Sequence, residues 1–246
     1  MKNLSNIALS CTAIFLLTGN SSVTAQDSDL SRLIAPPAGA AARPLKRTFQ
    51  MVSEASSYVL HVDSITVRTI FDTSKWPNKS RLRVVIEKSM AYDGELSFAM
   101  DSDLPPEGVL FDIDHNGYRD ILIETYPAGV TGIGANAPIT LALMFHPNNR
   151  IDVHELSSFF GSDDLFYDFD GDKKYEFVCL NRVAIDTSVY YVANLFGYKN
   201  HAFVNVSKSH KMFPAFFKEG ETGYIRIDHP PVEVRKRSTL ASPSVW

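Results

Sequence analysis

Two stretches of this chain, "VLFDIDHNGYRDILI" from Val109 and "LFYDFDGDKKYEFVC" from Leu165, superpose at an offset of 56 residues. Asp112 falls on Asp168, Asp114 on Asp170, Asn116 on Asp172 and Asp120 on Glu176. Apolar residues flank both acidic runs, and the segments that follow look like buried strands. A hairpin pattern follows each, turning near Pro147-Asn148-Asn149 in the first copy and near Gly197 to Asn200 in the second. The repeated unit is therefore strand, acidic loop, strand, hairpin, which is one four-stranded sheet used twice. That internal repeat constrains the fold more than any other feature and predicts an all-β architecture.

The rest of the chain is arranged around it. Residues 1–25 have the form of a secretory signal peptide: Lys2, the apolar core Ile7 to Leu17, and Val23 and Ala25 before Gln26. The core is too short for a permanent span, which needs about 20 apolar residues. Residues 26–48 are rich in Ala and Pro and read as a disordered leader, and 229–246 read as a flexible tail. Between them, 49–228 form the expected β domain, with the repeats at about 105–156 and 161–208. Strand patterns occur at "YVLHVDSITVRTIF", "SRLRVVIEKS" and "GELSFAM", with turn signals at "KWPNKS" and "AYDG". They predict an N-terminal β-layer that covers a sheet, giving an incomplete propeller-like or sandwich-like assembly. Helix is scarce, with room for a turn or two in "ELSSFFGS" and "KMFPAFFKE". At 45% apolar residues a core is readily buried.

Within each loop, oxygen-bearing side chains stand at positions 1, 3, 5 and 9. These are Asp112, Asp114, Asn116 and Asp120 in the first loop, and Asp168, Asp170, Asp172 and Glu176 in the second. As the chain curls, alternate oxygens point inward, and Gly117 at position 6 permits a left-handed backbone. Main-chain carbonyls at position 7, from Tyr118 and Lys174, would complete the set. All donors are hard oxygens, which selects calcium over zinc or copper, and the ligand number disfavours magnesium. An EF-hand is excluded, because position 12 is Ile123 or Cys179 and the flanks are strands. The alternative is an acidic β-turn without metal, since Asp, Asn and Gly favour turns unaided.

These stretches resemble the FG-GAP, or VCBS-type, repeats of integrin-like β-propellers and secreted proteins, in which D-x-D-G-D-G-x-x-D joins two strands. The resemblance implies a β-sheet blade unit with a calcium loop, over a little under half the chain. It departs from the pattern at His115 and Lys173, which stand at glycine positions, and at Glu176, which replaces Asp. A non-glycine residue in a left-handed backbone costs about 1–2 kcal/mol, so Lys173 is expected to weaken the second site.

Function is less legible. A net charge of −4 without a long basic run excludes nucleic acid. G-x-S-x-G, H-E-x-x-H and P-loop motifs are absent, "HELSS" at His154 lacks a second His, and the His residues look scattered, with His115 facing solvent. Cys179, the only thiol after Gln26, reads as a buried strand residue. Trp76, Tyr126 and Tyr198 lie near expected loops, where aromatics can stack on sugars. A secreted or periplasmic calcium-binding β protein with a binding or structural role is expected, with carbohydrate or an envelope protein as partner and no membrane span after cleavage. The alternative is an envelope or extracellular hydrolase acting on polysaccharide. Cleavage after Ala25 predicts an exported chain that begins at Gln26, checked by intact mass; a retained Met1 or a lipid on Cys11 contradicts it.

Overall fold

The computed structural model describes residues 33–34, 42–72, 79–128, 137–159, 165–220 and 223–238. The expected signal peptide, Trp76 and most of "TGIGANAP" lie outside them. The chain enters through β1 (Arg47–Gln50) and then builds an antiparallel meander: β2 (Val52–Glu54), β3 (Ser57–Val62), β4 (Ile65–Asp72), β5 (Lys79–Ile86) and β6 (Ser89–Glu95). A second sheet holds β7 (Glu107–Phe111), β8 (Asp120–Thr125), β9 (Ile139–Phe145) and β10 (Ile151–Ser157), in the order β1-β7-β8-β9-β10. The third sheet runs β11 (Phe166–Tyr167), β12 (Glu176–Ile185), β13 (Ser188–Lys199), β15 (Ala215–Gly220) and β16 (Gly223–Arg226). In it, β14 (Ala202–Asn205) pairs with the C-terminal end of β13, and β15 pairs with its N-terminal half. The protein is all-β and sandwich-like.

The middle sheet is buried on both faces. Side chains alternate across a strand, and here each alternate set enters a different core. Val109, Phe111, Leu122, Ala142 and Met144 pack toward the third sheet, against Phe166, Phe177, Leu195 and Phe196. Leu110, Ile121, Ile123, Leu141 and Leu143 pack toward the first sheet, against Tyr58, Leu60, Val67, Leu82 and Val84. A strand with two buried faces is apolar at nearly every position, and "ITLALMF" of β9 is buried throughout, with Thr140 its one polar residue. The N-terminal strands thus form the covering layer expected of them.

Several local readings change. "YVLHVDSITVRTIF" is a hairpin, not one strand, because a two-residue turn at Asp63-Ser64 preserves the parity of the alternation. "AYDG" lies inside β6, and the turn before it is Glu87-Lys88, both left-handed. "KMFPAFFKE" is not helical: Ala215 to Gly220 make β15, with Ala215 and Phe217 buried against β13. Glu155 to Ser157 of "ELSSFFGS" belong to β10.

The ends are more ordered than their composition suggests. Ile34 is buried in the core between the second and third sheets, and the Ala42 carbonyl accepts the Asp168 N–H at 3.0 Å. The segment read as a flexible tail contains α1 (Val232–Ser238), whose Val234 is buried against Val183 and Val192. An isolated buried Ile in an Ala- and Pro-rich segment, or Val in a charged one, leaves no periodic signal.

Ile121→Ala and Leu122→Ala face opposite cores, so each should destabilise by about 2–5 kcal/mol. Urea unfolding checks this; a near-neutral result for either variant would mean that one face of the middle sheet is wet.

Candidate metal centre

Strand register places the two acidic loops identically. Phe111 pairs with Asp120 and Tyr167 with Glu176, so each loop joins a strand that ends one residue before it to a strand that begins on its last acid. In both, the first Asp folds the loop. Asp112 accepts Asn116 N–H at 3.0 Å and Gly117 N–H at 2.9 Å. Asp168 accepts Gly171 N–H at 2.7 Å and Lys173 N–H at 3.1 Å. The position-5 side chains make matching turns, Asn116 accepting from Tyr118 N–H and Asp172 from Lys174 N–H, each at 2.8 Å. The last acid reaches back to position 2: Ile113 N–H donates to Asp120 at 2.8 Å and Phe169 N–H to Glu176 at 3.0 Å. Asp120 also receives Phe145 N–H at 2.8 Å, which ties the first loop to the end of β9.

Both loops turn left-handed at positions 4 and 6. The values are φ 57° at His115 and 89° at Gly117, against 81° at Gly171 and 70° at Lys173. Each loop therefore has one glycine and one non-glycine residue in the costly conformation. The strain expected to set the second loop below the first falls on both alike.

Burial does separate them. Asp120 is fully buried, and Asp112 and Asp114 are half-buried, whereas Asp170 and Asp172 are exposed. Desolvation raises the Asp114 carboxyl above its ordinary range, and repulsion from Asp112 adds to this. It pushes Asp120 up to about 8 despite two backbone donors, with Asp114 and Asp112 contributing. Glu176 rises to about 7 for the same leading reason, with Asp170, Asp172 and Asp168 nearby. Such acids are relieved by protonation or by a cation.

The expected ligands converge in part. Asp112, Asp114 and Asp120 bring oxygens within 4.8 Å of one another, as do Asp168, Asp170 and Asp172. Glu176 gathers instead with Asp170 and His210, an imidazole that the loop spacing did not indicate. Asn116 turns its amide nitrogen toward Asp114, at 3.2 Å, and toward the Phe145 carbonyl, at 2.8 Å. Tyr118 and Lys174 occupy equivalent places after the second left-handed residue. The first donor set, all carboxylate, fits a hard cation; the second fits one through its oxygens.

The loops lie against each other. Tyr175 N–H donates to the Ile113 carbonyl at 2.8 Å, and the Tyr175 ring meets Phe111 edge-on. Asp114, Asp170, Asp172, Glu176 and His210 line one cleft of about 40 Å³ between them. That space admits an ion but not a sugar ring, since organic ligands occupy roughly 300–1,000 Å³.

Other candidates resolve differently. The His residues are not all scattered: His146 and His201 both meet Asp152. Tyr198 is buried, with its hydroxyl donating to Asp152, so it is not a rim aromatic. Cys179 is buried, and its thiol is pushed up to about 12 by that burial. Comparison with known proteins finds no matching family model, curated protein or solved structure.

The raised carboxyls give a signed pH dependence. Between the ordinary carboxylate range and about 7–8, the folded chain holds protons at Glu176 and Asp120 that the unfolded chain has released. Stability supplied by those protons is complete at low pH and is lost as pH rises through the folded values. In chelator, the urea midpoint should fall between pH 5 and pH 8, and Asp120→Ala should flatten that slope if the variant folds. A midpoint that rises across this window contradicts the assignment.

Proposed function

We propose that this chain is a secreted or periplasmic calcium-binding β protein whose role is binding or structural, built on two FG-GAP-like repeats. The observation that carries the reading is the shared hydrogen-bonded form of the two loops. In both, first-position Asp, fifth-position turn and returning ninth-position acid recur at the same register. Calcium follows from donor chemistry, because three or four carboxylates in a short loop suit a cation that takes many oxygen ligands. The buried carboxylates among the described residues are Asp120, Asp168 and Glu176, all within the loops. Two buried carboxylates outside the loops and facing one cleft, the feature that favours polysaccharide hydrolysis, are not found among the described residues. Among the described residues, no helix is long and apolar enough to cross a membrane. Carbohydrate or an envelope protein remains the partner class proposed from the address.

The metal contribution is testable. Extracellular-type sites bind calcium at roughly 10⁻⁴ to 10⁻³ M. At about ten times the dissociation constant, one site adds about 1.4 kcal/mol, or a few degrees in melting temperature. Millimolar calcium should therefore raise the melting temperature, and magnesium less so. Asp114→Ala should remove most of the effect. Asp170→Ala should remove less, because its carboxylate is exposed and water already screens it. Thermal melts of wild type and both variants, with calcium and with chelator, decide it. Superimposed wild-type curves would leave the loops as ordinary acidic turns.

A further inference from the structure

A second group of ligand-type side chains lies beside the acidic loops. His146 follows β9, Asp152 lies on β10, and His201 sits in the turn between β13 and β14. The group thus joins the middle sheet to the third. One oxygen of Asp152 is 2.8 Å from His146 Nε2, 2.6 Å from His201 Nδ1 and 2.6 Å from the Tyr198 hydroxyl. His146 Nε2 is also 3.0 Å from that hydroxyl. The other Asp152 oxygen accepts from Arg150 at 3.3 Å.

We propose that His146, Asp152 and His201, with Tyr198 behind them, form a site for a divalent transition-metal ion, zinc foremost. This is independent of the calcium reading, because the donor set differs. Two imidazole nitrogens and one carboxylate oxygen suit zinc and its neighbours in the first transition row, not calcium. The nitrogen and oxygen atoms lie within 4.8 Å of one another. Ligands bound at about 2.0–2.1 Å in a tetrahedron stand about 3.3 Å apart, so the group need open only slightly. His201 can supply that movement, since its side chain is 49% exposed, while those of His146 and Asp152 are 11% and 14% exposed and held in place. The exposed histidine is also the entry route.

Two further features support the site. The β13–β14 turn has two residues, Asn200 and His201, both left-handed at φ 51° and 66°. Turns of this form favour Asn-Gly, and here an imidazole occupies the position where glycine costs least. Behind the cluster, the Tyr198 hydroxyl fixes the Asp152 carboxylate, as outer-shell groups do around bound metals. On the same face of β10 as Asp152, His154 packs edge-on against Tyr198 and Phe203, and its Nε2 is buried without a hydrogen-bond partner. A third imidazole therefore stands behind the cluster, in contact with the tyrosine that fixes Asp152.

The test uses untagged, chelator-washed protein, titrated with zinc against a chromophoric chelator and with cobalt as a spectroscopic probe. One zinc per chain should bind, and cobalt should give the visible absorption of a low-coordinate nitrogen and oxygen site. Outer-shell losses already cost about 10–100-fold, so His201→Gly, which suits the turn and removes a ligand, should weaken zinc at least about 100-fold. Tyr198→Phe should weaken it about tenfold, with circular dichroism unchanged for both variants. Asp114→Ala and Asp170→Ala should leave zinc binding intact. The proposal is overturned if wild type binds zinc no more tightly than His201→Gly. It is equally overturned if the acidic-loop variants lose the metal while His201→Gly keeps it.

Discussion

The central strands of the middle sheet, β8 and β9, have no face open to water, and the rest of the architecture follows from that. They send alternate residues into two cores, so the N-terminal meander and the C-terminal sheet are each required as a cover. Polar chemistry is thereby driven to the strand ends. The acidic loop between β7 and β8, the His146 end of β9 and the β13–β14 turn all gather at such ends, and the layers bring them together.

Burial also gives the acids their character. A carboxylate in an exposed turn is held ionised by water. Asp120 and Glu176 begin strands, so the sheet removes that water while backbone N–H groups supply only part of the compensation. Charge at these two positions is costly until something positive arrives. The first loop feels this more at its third position, because Asp114 is partly covered whereas Asp170 is exposed. Asp152 is the counter-case. Burial works against its charge, but hydrogen bonds from Tyr198 and His201, with Arg150 and His146 close by, hold it down at about 2.

Much of this was legible in the sequence because repeats and period-two alternation are local signals. The offset between Asp112 and Asp168 survives as an identity of strand register, and the buried strands expected after each loop are found as β8 and β12. What escaped notice depends on distance. His146 and His201 are 55 positions apart, and no spacing rule joins them until the middle and third sheets are layered and Tyr198 of β13 meets Asp152 of β10. Tyr198 reads as a loop aromatic because the turn is expected at Gly197 to Asn200, whereas β13 extends to Lys199 and buries it. Ile34 and Val234 are single anchors, and a single residue has no period. The left-handed positions were half visible: one glycine marks each loop, but its partner, His115 or Lys173, carries no such mark.

The bond from Tyr175 N–H to the Ile113 carbonyl joins the two acidic loops through main-chain atoms alone. Side-chain replacement at either residue leaves both partners in place, with proline at position 175 the exception because it lacks the donor. The junction is therefore insulated from most mutation. Each loop can change its acids or its glycine without releasing the other, so the two donor sets can differ while the loops stay joined.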